Sequence, residues 1–220
     1  MSEVAIGIIL AGGIGSRFKG DKPKQYYLLD GHEIIWYSID AFSKAESLDN
    51  FVVVLDEAEF HSHRIEREFG VQTVLGGDTR NQSFRNALEY IKHEYPLCSK
   101  VIENNAACPL ITVKQIDEIV KLLDNYDFVQ STYRITDALG SYNCRIVDRS
   151  DYFLIQAPDA YRFKLIDRYF DASSPNGHPA VQLPEGARGY NYFVDGQPFK
   201  VTYPEDIEIA EILLRRQNAK

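Results

Sequence analysis

Apolar residues arrive along this chain in short solid blocks, separated by stretches where they recur every three or four positions. The first block, Val4–Leu10, contains no polar side chain and stops at Ala11-Gly12-Gly13. A run of that length bounded by glycine predicts a buried strand. Phe51–Leu55 predicts a second, Val71–Leu75 a third ending at Gly76-Gly77, and Val101-Ile102 a short fourth. Phe128-Val129 and Tyr133-Arg134-Ile135 read as extended. Helical spacing fills the gaps: Ile34–Ala45 after the turn Asp30-Gly31, the charged segment Glu57–Phe69, Asn81–Tyr95 with Phe84, Ala87, Leu88 and Ile91 on one face, and Val113–Leu123. Pro204-Glu205-Asp206 predicts the start of a last helix, Ile207–Arg216, with proline in the first helical position and acids in the first turn.

Strands alternating with helices predict an α/β fold, Rossmann-like, with a mostly parallel sheet in a three-layer α/β/α arrangement. Residues 1–220 are expected to form a single domain. The stretch 133–152 breaks the rhythm with short polar pieces around Gly140-Ser141-Tyr142-Asn143, and predicts a β-arm that protrudes from the sheet. Ser173–Gly189, rich in Pro, Gly and Ser, predicts a loop. Ligands of such sheets gather at the carboxyl ends of the strands. Gly12–Gly15, Gly76-Gly77 and Asn105–Pro109 all fall there.

Composition narrows the partners. The chain of 220 residues is 45% hydrophobic and 25% charged, as soluble domains are, and its apolar runs are too short to predict a membrane span. Three widely spaced cysteines, Cys98, Cys108 and Cys144, with no C-x-x-C pair and no leader-like opening, predict a reduced, cytoplasmic protein. A net charge of −8 argues against a nucleic-acid surface. It leaves room for a small anion held by a local cluster of cations. His61-Ser62-His63 is two residues apart, so its rings do not share a helix face, and a solvated surface is the expectation for them.

The chemistry concentrates in Leu10-Ala11-Gly12-Gly13-Ile14-Gly15-Ser16-Arg17, followed by Lys22-Pro23-Lys24-Gln25-Tyr26. Glycines let backbone N–H groups approach an anion, and Arg17 and Lys24 add full positive charge. Phe18 stands where a dinucleotide fingerprint has its third glycine, and no P-loop motif occurs. Read alone, the turn also fits a tight strand-to-helix connection without a ligand.

Its companions extend the pattern. The opening resembles nucleotidyltransferases that join a sugar or polyol phosphate to a nucleoside triphosphate. More narrowly, it resembles the cytidylyltransferases that make 4-diphosphocytidyl-2-C-methyl-D-erythritol or CDP-ribitol. Gly76-Gly77-Asp78-Thr79-Arg80 through Asn86, Ala106–Thr112, Asp148-Arg149 with Gln156-Ala157-Pro158, and Lys200–Asp206 resemble further blocks of that family, in order along the chain. The resemblance implies an enzyme that transfers a cytidylyl group from CTP to a small phosphorylated acceptor and releases pyrophosphate. It implies that Ala11, Gly12, Gly13, Gly15, Gly77, Arg80 and Ser83 bind the nucleotide. Arg17, Lys24 and Lys200 would be catalytic, and Arg149, Asp137 and Lys200 would hold the acceptor. It also implies Mg²⁺ as cofactor and a homodimer joined through the arm.

Departures from the family pattern collect on the acceptor side. Asn105 replaces an aspartate expected to ligate the metal, and Glu103 or Asp206 are the other candidates for that charge. Cys108 replaces an arginine, Ala138 and Ala157 replace threonines, and Asp159 replaces a glutamine. A threonine-aspartate segment is reduced to Gly177-His178-Pro179-Ala180. The nucleotide half is therefore better matched than the acceptor half. A homologue that binds nucleotide without turnover, with a regulatory or partner-binding role, is the alternative that Asn105 leaves open.

Overall fold

The computed structural model describes residues 3–219 apart from 14, 16, 144–146, 176 and 195–197, so Cys144 lies outside the described residues. At the centre is β1 (Val4–Ala11), flanked in parallel by β4 (Asn50–Leu55) and β6 (Cys98–Asn105). Beyond β4 lies β5 (Gln72–Leu75), also parallel. On the far side, β7 (Phe128–Arg134) pairs in parallel with β10 (Gly189–Phe193). Between β6 and β7 runs β9 (Asp159–Arg162), antiparallel to both. The order is β10-β7-β9-β6-β1-β4-β5, with the short β8 (Phe153–Ile155) paired to β7. The small hairpin β2 (Leu28–Leu29) and β3 (His32–Glu33) stands apart.

Alternation along β1 feeds two cores. Ala5, Ile9 and Ala11 face α1 (Ile34–Lys44) and α5 (Val113–Leu122), against Ile35, Ile39, Phe42, Ile116 and Ile119. Ile6, Ile8 and Leu10 face α4 (Arg80–Glu94) and α6 (Phe163–Tyr169), against Phe84, Leu88, Ile91 and Ile166. Successive strand residues point to opposite sides, which is why a solid apolar run is needed where both faces are covered. The result is the three-layer α/β/α arrangement. A third cluster, Phe18, Leu29, Ile34, Val201, Ala210 and Leu214, seats α7 (Asp206–Asn218) over the β2–β3 hairpin.

Several elements differ from their sequence pattern. The helix expected over 57–69 is two, α2 (Glu57–Ser62) and α3 (Arg64–Phe69), broken by His63 in the left-handed region at φ 53°. Asp56 caps the first through Glu59 N–H, and Gly70 at φ 67° closes the second. Pro204 precedes α7 instead of opening it, because Glu205 is the N-cap. The stem of the arm is the β7–β8 pair, with Thr132 opposite Ile155 and Arg134 opposite Phe153. Between them, the described residues of 135–148 form no strand.

Gly7, in the middle of β1, shows how tightly the layers fit. A Cβ there would lie 2.5 Å from Phe42 Cδ1 and 2.8 Å from Phe51 Cβ. Neither neighbour can withdraw without disturbing the α1 core. Gly7→Val is expected to lower the unfolding free energy by about 3 kcal/mol, the upper range for overpacking, as read from denaturant melts. Wild-type stability in that variant would show that the layers have slack.

Candidate active site

The turns at the carboxyl ends of β1, β4, β5 and β6 enclose a cavity of about 830 Å³. Ala11, Gly12, Gly13, Gly15, Gly77, Arg80 and Ser83 all line it, as do Arg17, Lys24, Lys200 and Asn105. Most of the residues singled out in the sequence thus converge, from segments almost 200 positions apart. Four of them, Arg149, Asp137, Glu103 and Asp206, do not line it. Arg149 lies in a short exposed turn and donates to Thr136 O instead.

The glycine turn is braced from below. Gln25 Nε2 donates to Ala11 O at 2.5 Å and to Gly13 O at 3.1 Å. Gly15 adopts φ 68°, and its carbonyl accepts from Phe18 N–H at 2.8 Å. With the carbonyls tied down, the N–H groups of Gly12, Gly13 and Gly15 donate to no acceptor among the described residues. Such a set of free, converging N–H groups is an anion cradle. Gln25 lies within the Lys22–Tyr26 block but carried no role in the sequence reading, since nothing in a sequence shows which carbonyls a side chain reaches.

The second glycine turn forms the opposite wall. Gly77 N–H donates to Ser83 Oγ at 3.1 Å. A Cβ on Gly76 would lie 2.9 Å from Leu55 O, and one on Gly77 2.1 Å from Gln82 Cγ. Both positions therefore require glycine for close approach. Thr79 caps α4 by accepting from Gln82 N–H at 3.0 Å, and the amino end of this helix opens onto the cavity. That end adds partial positive charge.

Three cations crowd one side. Lys200 is exposed, and its segment is fixed where Val201 N–H donates to Ala107 O at 2.9 Å. Burial pulls the half-buried Lys24 ammonium down to about 8, and the nearby charges of Lys200 and Arg17 push the same way. A bound anion would relieve that repulsion. The arrangement concentrates positive charge beside the glycine turn.

Asp56, Glu57 and Asp78 also line the cavity, whereas the carboxylates singled out in the sequence have other partners. Arg80 Nη2 lies 2.6 and 2.8 Å from the two oxygens of Glu103, whose side chain is only 2% exposed. Glu103 does not line the cavity. Its partner is Arg80. Asp206 Oδ2 accepts the N–H groups of Thr202 and Tyr203 at 2.7 and 2.8 Å. Asn105 Oδ1 accepts from Ala107 N–H at 3.0 Å. The described residues contain no cluster of three or more His, Cys, Asp or Glu arranged to hold a metal. Each of the three candidate positions therefore has another partner in this arrangement.

Behind this wall sits a second buried acid. Asp159 lies directly opposite Glu103 on β9, accepts from Ser131 N–H at 2.9 Å, and pairs with His178 Nε2 at 2.9 Å. Burial pushes its carboxyl up to about 6, against the His178 contact. Arg85, five residues along α4 from Arg80, holds both the carbonyl and the carboxylate of Asp167 at 2.9–3.2 Å and ties α4 to α6.

With this geometry in place, comparison with known proteins gives a consistent result. Residues 5–216 match the family model for 2-C-methyl-D-erythritol 4-phosphate cytidylyltransferase. A relative of that name from Azobacteroides pseudotrichonymphae is 31% identical, over 94% of this chain and 97% of its own. One from Clostridium acetobutylicum is 27% identical, over 96% and 97% respectively. Among solved structures, the 4-diphosphocytidyl-2C-methyl-D-erythritol synthase of Anaerococcus prevotii superposes with a TM-score of 0.83 at 18% identity, covering 97% of each chain. The Thermus thermophilus 2-C-methyl-D-erythritol 4-phosphate cytidylyltransferase gives 0.73 at 20% identity, over 97% of this chain and all of that one.

The cation cluster makes a pH prediction with a definite sign. Lys24 is charged below about pH 8 and loses its proton above it, so anion affinity is lost as pH rises through that value. Tripolyphosphate binding, followed by calorimetry, should weaken several-fold from one unit below to one unit above. Lys24→Arg should remove the dependence, because guanidinium stays protonated throughout. A flat profile in the wild-type protein would count against Lys24 as an anion contact.

Proposed function

The chain belongs to the 2-C-methyl-D-erythritol 4-phosphate cytidylyltransferase family, and on that premise we propose that it moves a cytidylyl group from CTP to a small phosphorylated alcohol. The observation that carries this reading is the convergence of Arg17, Lys24 and Lys200 on a cradle of free glycine N–H groups. The triphosphate lies along Gly12, Gly13 and Gly15. The base rests between the two glycine turns, near Ala11, Gly77 and Ser83. Arg80, fixed by Glu103, borders the same space.

In the transfer, an oxygen of the acceptor phosphate bonds to the α-phosphorus as the bond to the bridging oxygen of the β-phosphate breaks. Pyrophosphate leaves with that electron pair. The acceptor phosphate is already an anionic nucleophile, so no general base is assigned. Lys200 sits where it can guide that phosphate, while Arg17 and Lys24 offset charge growing on the α-phosphoryl group and the leaving group. Magnesium is assigned no residue of this chain, and we propose only that it enters bound to the triphosphate. No described helix is long and apolar enough to cross a membrane. We place the reaction in the cytoplasm, where CTP is made.

The reading is tested by pyrophosphate release from CTP with Mg²⁺ and 2-C-methyl-D-erythritol 4-phosphate or ribitol 5-phosphate. Turnover is expected with at least one acceptor, and Lys200→Met should cut kcat/KM by about 10²-fold or more. CTP binding without turnover on any phosphorylated alcohol would instead support the nucleotide-binding homologue.

We further propose that the single domain assembles as a homodimer through the arm. Tyr152, Phe153, Leu154 and Ile155 are consecutive and exposed, and Phe193 is exposed across β7 from them. A contiguous apolar stretch of this kind suits an interface. Arg149 and Asp137, which miss their own cavity, would then serve the partner's. Arg149→Ala and Lys200→Met should each be inactive alone, and a mixture that exchanges subunits should recover about a quarter of wild-type activity, because one site in four regains both residues. No recovery on mixing would place Arg149 outside the reaction.

A further inference from the structure

Lys24 opens the short turn Lys24–Tyr26, whose other two residues, Gln25 and Tyr26, are buried. The Lys24 carbonyl accepts from Tyr27 N–H at 3.1 Å, so the backbone here is fixed. Its side chain is not tied in the same way. The stem runs beside the glycine turn, since a Cβ on Gly15 would lie 3.7 Å from Lys24 Cγ. Lys24 then lines the cavity, and its ammonium makes no hydrogen bond or ion pair among the described residues. By contrast, Lys44 lies 2.7 Å from Asp40, Lys92 3.0 Å from Asp167, and Lys100 2.8 Å from Glu3. Asp56, Glu57 and Asp78 line the same cavity, yet none of them pairs with Lys24.

A lysine that is partly desolvated and crowded by other cations is more often the free amine, and the free amine is a nucleophile. Burial is the main cause of the fall to about 8 at Lys24. Lys200 and Arg17 act in the same direction, while Cys108 and Asp206 act against it. Near pH 7 such a group is roughly 10% free amine, a fraction on the order of 10²-fold above that of an ordinary lysine. The same cavity offers the N–H groups of Gly12, Gly13 and Gly15 to a phosphate. Nucleophile and phosphate anchor are therefore neighbours. A small molecule that carries both a phosphate and a carbonyl would be held with its carbonyl carbon close to the amine.

We propose that Lys24 is a modification site, where Nζ forms a reversible imine with a short phosphorylated aldehyde anchored by the glycine turn. The amine lone pair adds to the carbonyl carbon, and both nitrogen protons leave with the carbonyl oxygen as water. One C=N bond replaces one C=O bond, so the step needs no oxidant, reductant or cofactor. The adduct sets the aldehyde's phosphate where a triphosphate would lie. An open-chain sugar phosphate of this class thus competes with the nucleotide and holds the site shut until the imine hydrolyses. The inference needs the anion cavity alone and goes beyond the transfer reaction.

Two aldehydes that differ in the phosphate test the site: pyridoxal 5′-phosphate and 5′-deoxypyridoxal, each trapped by borohydride and mapped by peptide mass spectrometry. The phosphorylated probe should mark Lys24 ahead of Lys19, Lys22 and Lys200, and at least about tenfold faster than its phosphate-free counterpart. Glyceraldehyde 3-phosphate, trapped in the same way, should mark the same residue. Tripolyphosphate should suppress the label at Lys24. Lys24→Arg, with folding checked by its tripolyphosphate binding, should lose most of the imine absorbance that the wild-type protein forms with pyridoxal 5′-phosphate. Equal rates for the two pyridoxal probes, no protection by tripolyphosphate, a label spread over exposed lysines, or no mark from glyceraldehyde 3-phosphate each overturns the inference. These wild-type comparisons stand even where the variant does not fold. Phosphate-dependent labelling of Lys24 in a chain that releases no pyrophosphate with any acceptor supports the site and sinks the transfer reading alone.

Discussion

A carboxylate in the middle of a sheet has to be neutralised, and this fold holds two side by side. β9 runs against its neighbours and sets Asp159 opposite Glu103, both almost wholly buried. Each takes its partner from a different flanking element. Glu103 draws Arg80 from the first turn of α4, and Asp159 holds His178 from the loop before β10. Leaving one such charge unpaired costs about 3–5 kcal/mol, against about 0–1 for an exposed pair. The two pairs therefore fix the amino end of α4 and the 173–189 loop against the top of the sheet. That end of α4 is a wall of the cavity between the two glycine turns.

The site proper is built on the opposite principle. Elsewhere several arginines are paired: Arg64 bonds Glu33 and Glu59, Arg85 bonds Asp167, and Arg162 bonds Glu3. Arg17, Lys24 and Lys200 face one another across open space, and Lys24 is lowered to about 8 by the crowding and burial. A chain of net charge −8 thus keeps a local positive field. Gln25 makes this possible by drawing the carbonyls of Ala11 and Gly13 away from the cradle, so that only N–H groups meet the ligand. Preorganised charge of this kind favours the charge that develops during transfer.

Elements that bury both faces were legible as apolar blocks, and β1, β4 and β5 lie where those blocks are. β9 was not. Its four residues, Asp159-Ala160-Tyr161-Arg162, alternate in no useful way, and their strand character comes from the gap between β6 and β7 that they fill. The break between α2 and α3 was equally hidden, because the apolar spacing runs through His63 while its backbone turns left-handed. Glu103 shows the same limit within the site. Its spacing from Asn105 suggested a metal ligand, but only the position of Arg80, 23 residues earlier, decides what its carboxylate does.

What the sequence determined by itself is local: the buried strands, the glycine turns that leave them, and the identity of the residues that crowd one end of the sheet. Ordered blocks sufficed for this, since a strand's length, a glycine's freedom and a lysine's charge belong to short segments. Tertiary structure decided which polar groups remain available. It gave Glu103 to Arg80, Asp206 to the Thr202–Tyr203 backbone and Asn105 Oδ1 to Ala107. Hydrogen bonds and buried charges are settled by neighbours far apart in the chain, and those neighbours exist only once the sheet has formed.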